Sequence, residues 1–286
     1  EAYGATSIDH TARVSESVLA RLHFVIRKPL GKDIPEIDLE QLETDLAEAT
    51  RFWEDDFAES LVEQVGEEDS VRLLRTWGDS FPESFKADVP AGDAVSHLKI
   101  LEQLESQEPG AIKVSMYTPK SPEDGTRRFT IYRIDRSITL STVLPILHDL
   151  GVEVIDERAY DLRRKGKPVA WVYDFGLNFD DSKVPEQDSL SERFCSTFVA
   201  TWHGEVDSDP FNGLVIKAGL SARNVGIIRA YAAYLRQAGT PFSQGYLQQV
   251  LLSNINIVQL LVQLFAVRFD PELDQDRDAK QKQLVN

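Results

Sequence analysis

The sequence predicts an α+β fold in which a four-stranded antiparallel sheet carries two helices on one face. Three observations predict it. A hairpin followed by helices occurs twice along the chain, an additional hairpin stands between the two copies, and a short amphipathic helix joins that hairpin to the second copy. The resulting order, ββαββα, is a permuted form of the ferredoxin-like sandwich.

The first predicted hairpin spans residues 7–27. Its second strand alternates with a period of two, which places Leu22, Phe24 and Ile26 on one side. Only about twenty residues precede this strand, too few for a sheet with its own core. We therefore expect the hairpin to complete a domain whose first half lies outside this sequence.

The two copies share one order of elements. The first hairpin is followed by predicted helices at 38–62, 67–81 and 91–106; a second hairpin at 152–179 is followed by helices at 188–206, 221–239 and 245–267. Phe24 and Tyr173 lie as far apart in sequence as Trp53 and Trp202. The further aligned positions are Gly66 with Gly219, Arg75 with Arg229, and "FPESF" (81–85) with "FSQGY" (242–246). A repeat of this length indicates two copies of one structural unit.

The intervening segment supplies the remaining strands. Residues 111–119 and 127–134 flank a loop rich in turn-forming residues, which predicts a hairpin. Residues 139–151 then predict a helix that ends at Gly151, with a bend at Pro145.

Composition restricts the classes of function. The 286 residues carry a formal charge of −16 and one cysteine, Cys195. An acidic chain lacks the basic face that nucleic acid requires, and a single cysteine excludes an internal disulfide and a thiolate metal cluster. No apolar run reaches the length that spans a membrane. We expect a cytoplasmic protein that binds neither nucleic acid nor membrane.

Motifs of catalysis are missing from the sequence. It has no HExxH pair, no Walker A loop and no Gly-x-Gly-x-x-Gly fingerprint. A basic group around Gly166 is interpreted as an exposed, solubilising hairpin tip, and Arg75 and Arg229 as helix-capping or acid-pairing residues. The basic group comprises Arg163, Arg164, Lys165 and Lys167. We predict no catalytic, cofactor-binding or metal-binding residue.

Several segments resemble the large NAD-dependent glutamate dehydrogenases of bacteria. They are "ESVLARLHFVIR", "ATRFWEDDFAESL", "VLPILHDLGVEVIDERAYDL", "WVYDFGL", "FNGLVIKAGLSAR", "IRAYAAYLRQAGTPFSQGYL" and "LLVQLFAVRFDP". The resemblance implies ACT-like domains interleaved with helical motifs. On this basis the predicted divisions are the end of a truncated ACT-like domain (1–30), a helical motif (31–108), a complete ACT-like domain (109–206), a second helical motif (207–270) and a polar linker (271–286).

The resemblance also implies a function. The chain is expected to be a regulatory and oligomerising fragment of an enzyme that oxidatively deaminates L-glutamate to 2-oxoglutarate and ammonia in glutamate catabolism. The catalytic lysine and aspartate and the NAD-binding segment would lie beyond residue 286, so the fragment itself would be non-catalytic and hold no cofactor. Its partners would be the remainder of the enzyme chain, other copies in a homo-oligomer and a small amino-acid effector. The alternative is a free-standing, non-catalytic ACT-like interaction or amino-acid-sensing protein, which the length of the natural reading frame would distinguish.

Two binding surfaces are expected. ACT domains often bind an amino acid beside a loop resembling Asp-x-Pro-Gly, to which "DRSITL" (135–140) is the nearest match here, with Ser137 and Ile138 at the Pro-Gly positions. The implied effector contacts are Tyr132, Asp135, Arg136, Ser137, Ile138 and Thr139. The incomplete hairpin at 7–27 is expected to pair with a second copy, unless the helix at 38–62 covers it.

Overall fold

The computed structural model describes residues 7–14, 20–27, 52–120, 125–180, 189–271 and 277–285. Near the start of the chain, strands β1 (Ser7–Val14) and β2 (Ala20–Arg27) pair antiparallel, from Ser7 opposite Arg27 to Val14 opposite Ala20. This confirms the predicted hairpin. The part of the predicted helix at 38–62 that precedes residue 52 lies outside the described residues.

Four helices and a short 3-10 turn form the first helical motif. Gly66 separates the first two helices because its positive φ of 86° turns the chain, while Glu67 and Glu68 place negative charge at the start of the second helix, where the helix dipole favours it. The elements are α1 (Trp53–Val65), α2 (Glu67–Trp77), a 3-10 turn (Gly78–Ser80), α3 (Glu83–Asp88) and α4 (Ala91–Glu105).

The predicted α+β unit follows and is confirmed. Its elements are β3 (Ile112–Tyr117), β4 (Arg127–Ile134), α5 (Leu140–Asp149), β5 (Glu153–Leu162), β6 (Ala170–Asn178) and α6 (Leu190–Trp202). The strands form one antiparallel sheet in the order β3-β4-β6-β5. Pro145 is accommodated inside α5, and Gly151 follows that helix with a positive φ of 84°.

The two central strands send alternate side chains to opposite faces. On one face Phe129 of β4 contacts Phe194 and Phe198 of α6, at ring-centroid distances of 5.3 and 4.8 Å. Phe175 of β6 is buried in the same cluster, which also contains the apolar side of α5. This is the predicted layer of two helices on the sheet.

The opposite face of the sheet is covered as well. Tyr132 of β4 and Val172 of β6 belong to a second core that contains the buried side chains of α1 to α4, and α4 lies across β3 and β4. The sequence predicted helices on one face only. The preceding helical motif supplies the second layer.

A second helical motif packs after α6. It comprises a 3-10 turn (Pro210–Gly213), α7 (Leu214–Lys217), α8 (Ala222–Gln237), α9 (Gln244–Ser253) and α10 (Ile255–Phe269). The aligned Gly66 and Gly219 both have positive φ, 86° and 67°, which supports the repeat at the level of the backbone. The predicted linker at 271–286 contains a further helix, α11 (Arg277–Val285), which contacts α10.

None of the helices in the described ranges could cross a membrane by itself. Helices α9 and α10 together have the length and composition to do so, but the chain bends by 98° between them.

A buried ion pair stabilises the polar end of the second sheet face. The Arg128 side chain is 2% exposed, and its Nε donates to Asp174 Oδ2 at 2.8 Å. Its Nη1 lies 2.8 Å from Asp156 Oδ1, and Thr130 donates to the other Asp174 oxygen at 2.9 Å. Burial disfavours the charged form of Arg128, but the carboxylates of Asp174 and Asp156 outweigh it and raise the pKa of Arg128. Every charge at this position therefore has a partner, as burial requires.

Gly176 makes this arrangement possible. It lies between Arg128 and Asp156 in the register of the sheet, and a Cβ at this position would approach Arg128 Nη1 and Asp156 Oδ1 to 3.0 Å. The same Cβ would lie 2.8 Å from Ile155 Cγ1, closer than carbon atoms pack. Because Gly176 has no side chain, the Arg128 guanidinium and the Asp156 carboxylate can approach each other across it.

We expect Gly176→Ala to lower the free energy of unfolding by about 1–3 kcal/mol, because overpacking must displace the ion pair or Ile155. Chemical denaturation of the variant measures this change. Gly226→Ala is the matched control, since a Cβ at Gly226 in α8 meets no atom within 4 Å. There the same substitution in a helix should stabilise by about 0.5–1 kcal/mol. Equal effects of the two substitutions would contradict this account of Gly176.

Candidate functional site

A cleft of about 400 Å³ lies where the first helical motif joins the sheet. Three separate parts of the chain form its walls: the connection from α4 to β3 (104–111), the end of β4 at Ile134 and Asp135, and the tip of the β5–β6 hairpin at Lys167 and Pro168. A molecule bound in this cleft would touch the helical motif and the α+β unit at once.

Asp135 gives the cleft an unusual backbone. Among the described residues it is the one non-glycine residue with positive φ, 81°, a conformation that aspartate tolerates better than most residues. Its N–H donates to Val169 O at 2.9 Å, which ties the end of β4 to the start of β6. Such strained positions concentrate at binding and switching sites.

The structure brings part of the predicted effector site together. Asp135 lines the cleft, while Arg136, Ser137 and Thr139 continue from it as an exposed turn that leads into α5. Ile138 is partly buried against the core, and its N–H donates to Tyr173 Oη at 3.0 Å.

Tyr132 does not belong to that turn. It is 2% exposed beneath α4, where its Oη lies 2.8 Å from His97 Nδ1 and 3.3 Å from Ser115 Oγ. Because side chains alternate along strand β4, Tyr132 points into the second core and does not line the cleft.

Of the charged residues that line the cleft, Asp135 was predicted from the sequence as an effector contact, whereas Glu105, Glu108 and Lys167 were not. Glu105, Glu108 and Asp135 bring three carboxylates to its walls, and Lys167 brings a cation whose Nζ lies 3.6 Å from Glu105 Oε2. The turn-forming residues at 106–110 are evident in the sequence, but nothing there indicates that this turn lies beside the tip of the β5–β6 hairpin. Together with the apolar side chains around them, these groups suit a small ligand that carries both an ammonium and a carboxylate.

The hairpin tip is fixed by Arg164. Arg163, Lys165 and Lys167 are exposed, as the sequence predicted, but the prediction was wrong for Arg164, whose side chain is 1% exposed. Its guanidinium lies 3.7 Å from the Trp77 ring and pairs with Glu105 of α4. Trp77 in turn donates to Glu102 Oε1 at 2.7 Å. A cation–π contact and a buried ion pair therefore lock the hairpin to the helical motif beside the cleft.

Arg229 pairs with an acidic residue, as the sequence predicted. Arg229 makes two hydrogen bonds to Asp209, at 2.8 and 3.0 Å, and a third to Asn212 Oδ1 at 2.9 Å. Its equivalent in the first motif, Arg75, is exposed. Arg229 is thus an acid-pairing residue that holds the 3-10 turn against α8.

The described residues offer little for covalent or metal chemistry. None of them forms a cluster of three or more His, Cys, Asp or Glu side chains able to hold a metal ion. Burial raises the pKa of Cys195 to about 12, so its thiol stays protonated at neutral pH.

His97 links the first helical motif to the sheet. It lies edge-on to Phe85 at 5.6 Å, and its Nδ1 lies 2.8 Å from Tyr132 Oη. Burial lowers the pKa of His97, and the negative charges of Asp174 and Asp93 oppose this shift only in part. The folded protein therefore holds His97 neutral at a pH where the unfolded chain already binds a proton.

We expect acidification to destabilise the protein through His97. As the pH falls below the unfolded-state value of about 6.5, protonation favours the unfolded chain by at most about 1.4 kcal/mol per pH unit. His97→Gln should reduce this loss, because glutamine can bond Tyr132 but does not titrate. Denaturation curves between pH 7.5 and 5 measure the difference.

His148→Gln serves as the control, since His148 is exposed on α5. It should retain the pH dependence of the unaltered protein. If His97→Gln and His148→Gln give superimposable pH profiles, His97 is not the titrating group.

Four family models match the chain in succession. They are described as the glutamate dehydrogenase ACT2 domain (residues 1–54), helical motif 2 (60–104), the ACT3 domain (111–190) and helical motif 3 (206–271). The ACT3 match contains the whole of the sheet β3–β6, and the cleft lies at its junction with helical motif 2.

Curated relatives are similar over nearly the whole chain. The NAD-specific glutamate dehydrogenase of Mycobacterium tuberculosis is 33% identical, that of Halomonas elongata 36% and that of Pseudomonas aeruginosa 34%, over 94%, 95% and 89% of this chain. The chain spans only 17%, 17% and 16% of these relatives, about one sixth of their length.

Proposed function

Because this chain belongs to the glutamate dehydrogenase family and carries its ACT and helical-motif domains, we propose that it is a non-catalytic regulatory and assembly segment of a longer, cytoplasmic NAD-specific glutamate dehydrogenase. The parent enzyme would oxidatively deaminate L-glutamate to 2-oxoglutarate and ammonia. The observation that carries this proposal is the unbroken succession of four family domains in a chain one sixth the length of its relatives.

NAD would bind elsewhere in the parent. The chain lacks a Gly-x-Gly-x-x-Gly loop, and the cleft carries the carboxylates of Glu108 and Asp135, which would repel a pyrophosphate. We therefore infer that the dinucleotide binds outside this segment, which would contribute no step to hydride transfer.

The position of the cleft supports a regulatory role. Its walls come from the helical motif and from the α+β unit, so a ligand would favour the arrangement in which both walls are correctly spaced. A ligand can shift an equilibrium only by its differential affinity for two arrangements. A ligand at a junction between two domains can bind one arrangement of the domains more tightly than another, whereas a ligand in a pocket within one rigid domain cannot.

The chemistry of the cleft favours an amino acid as effector. The carboxylates of Asp135 and Glu108 would accept hydrogen bonds from an ammonium group, and Lys167 would donate to a carboxylate. Leu104 and Ile134 supply apolar contacts for an aliphatic side chain. The exposed turn from Arg136 to Thr139 would close one side.

The hairpin at 7–27 supports assembly into a homo-oligomer. Its two strands pair only with each other among the described strands, and a two-stranded sheet is marginally stable in isolation. Its outer edges carry backbone groups that a strand of another copy could pair.

We expect small amino acids to raise the unfolding temperature of this segment, and Lys167→Met to weaken their apparent affinity by about tenfold. The physical reason is the loss of a hydrogen bond to a charged group, which contributes roughly 1.5–3 kcal/mol. Thermal-shift titrations across the amino acids, with NAD in parallel, measure both effects. NAD should give no shift.

Lys165→Met is the matched control, because Lys165 lies on the same hairpin but outside the cleft. It should leave the titrations unchanged, and Ser137→Trp should abolish them by blocking the turn. Stoichiometric NAD binding would contradict the proposed function. Amino-acid shifts that survive Lys167→Met and Ser137→Trp would place the effector elsewhere.

We expect the segment to be a dimer, and to become a monomer when residues 1–28 are removed. Light scattering coupled to size exclusion gives the mass of both forms. Arg21→Pro tests the same hairpin without truncation, since proline removes a backbone donor from β2. Two monomeric proteins would show that the hairpin does not mediate assembly.

A further inference from the structure

The two helical motifs differ in how well their apolar surfaces are covered. Among the described residues sixteen large apolar side chains are exposed, and eight of them lie between residues 234 and 269 in the second motif. Half of the exposed large apolar side chains of the described residues thus belong to the α8–α10 region of the second motif.

An aligned pair of aromatic residues shows the contrast directly. Phe81 and Phe85 lie in the first motif with their rings 5.1 Å apart, and Phe242 and Tyr246 take the equivalent positions in the second motif, also 5.1 Å apart. Phe81 and Phe85 are 4% and 0% exposed, whereas Phe242 and Tyr246 are 49% and 50% exposed. The distance between the two rings is the same in both motifs, but the rings are buried in the first motif and half exposed in the second.

The cover of the first pair comes from two sources. Trp53 of α1 lies 5.2 Å from the Phe81 ring, and Tyr160 of strand β5 lies edge-on to Phe85 at 5.1 Å. In the second motif the counterpart of α1 is reduced to a 3-10 turn and the four-residue α7. Among the described residues, neither a long helix equivalent to α1 nor a strand equivalent to β5 covers Phe242 and Tyr246.

The helices that follow repeat the contrast. Helix α4 lies across the sheet and buries six apolar residues, from Ala91 to Leu104. Its counterpart α10 is the more apolar of the two, yet it buries only Val258 and exposes Ile257 and Leu260 at 52% and 43%. A helix that is apolar on several sides is typical of a buried position.

We propose that the exposed apolar side chains of the second helical motif, Phe242, Tyr246, Ile257 and Leu260, dock a second β-sheet domain, in the way that α3 and α4 dock the sheet β3–β6. The partner is a sheet face that presents an aromatic side chain to Tyr246 and aliphatic side chains to α10. The inference rests on the proposed function, because it places this domain in the same long polypeptide, five sixths of which in the relatives lies outside the matched region.

The test is site-specific photocrosslinking in the intact parent enzyme. Benzoyl-phenylalanine replaces Tyr246 in one variant and Ile257 in another, and mass spectrometry maps the products. Both should crosslink within one polypeptide to strand segments of another domain. The control replaces Val71, which is 68% exposed on α2 of the first motif and should give no defined product.

A second measurement separates docking from local packing. Tyr246→Ala should lower the unfolding temperature of the intact enzyme by more than that of the isolated 286-residue segment, in which the ring contacts Phe242 but no docked sheet. Crosslinks to helical segments, crosslinks to a second copy of this region, or labelling no different from Val71 would overturn the inference. If the natural polypeptide is no longer than this segment, the proposed function is wrong as well. If a longer, active enzyme gives no such crosslinks, the docking inference alone is wrong.

Discussion

Strands β4 and β6 are covered by helices on both faces, and the rest of the structure depends on this constraint. A strand with one wet face can place polar residues there without cost, but a doubly covered strand must satisfy every polar group internally. The face covered by α5 and α6 is mostly apolar, and the Tyr173 hydroxyl on it accepts a hydrogen bond from the Ile138 N–H. The opposite face meets it with Arg128, Asp174 and Thr130, and the missing side chain of Gly176 admits the charge pair.

The same double cover connects the helical motif to the α+β unit. Tyr132, Tyr160 and Arg164 extend from the sheet, and they meet His97, Asp88 and Glu105 of the helices through hydrogen bonds or ion pairs. These contacts are directional, so the two units have one preferred orientation. The cleft forms at the edge of this interface, where the directional contacts end and the connection to β3 begins. Its shape is therefore set by the relative position of the two units, which is the property that a regulatory ligand needs.

Much of the fold could be predicted from the sequence, because its strongest signals are local. Alternation predicted β2 and the hairpins, turn residues predicted their ends, and Gly66 and Gly219 marked equivalent points in the repeat. What could not be predicted depends on contacts between distant segments. Arg164 reads as a surface residue beside Arg163 and Lys165, and only the approach of Trp77 and Glu105 shows that it is buried. Tyr132 is close to Asp135 in sequence, but the strand geometry sends it under α4. The cleft itself joins three segments whose proximity no local pattern encodes.

The repeat also carries information about what its second copy contacts. The two copies of the motif share apolar positions, and an apolar side chain at such a position gains free energy when it is buried. Phe242 and Tyr246 keep the ring spacing of Phe81 and Phe85 although no described residue covers them as Trp53 and Tyr160 cover the first pair. An aromatic ring exposed to water can still be buried by a partner, and this burial contributes favourably to the free energy of association. The exposed apolar side chains of α9 and α10 are thus a physical sign of a partner surface, because the equivalent positions of the first copy are buried.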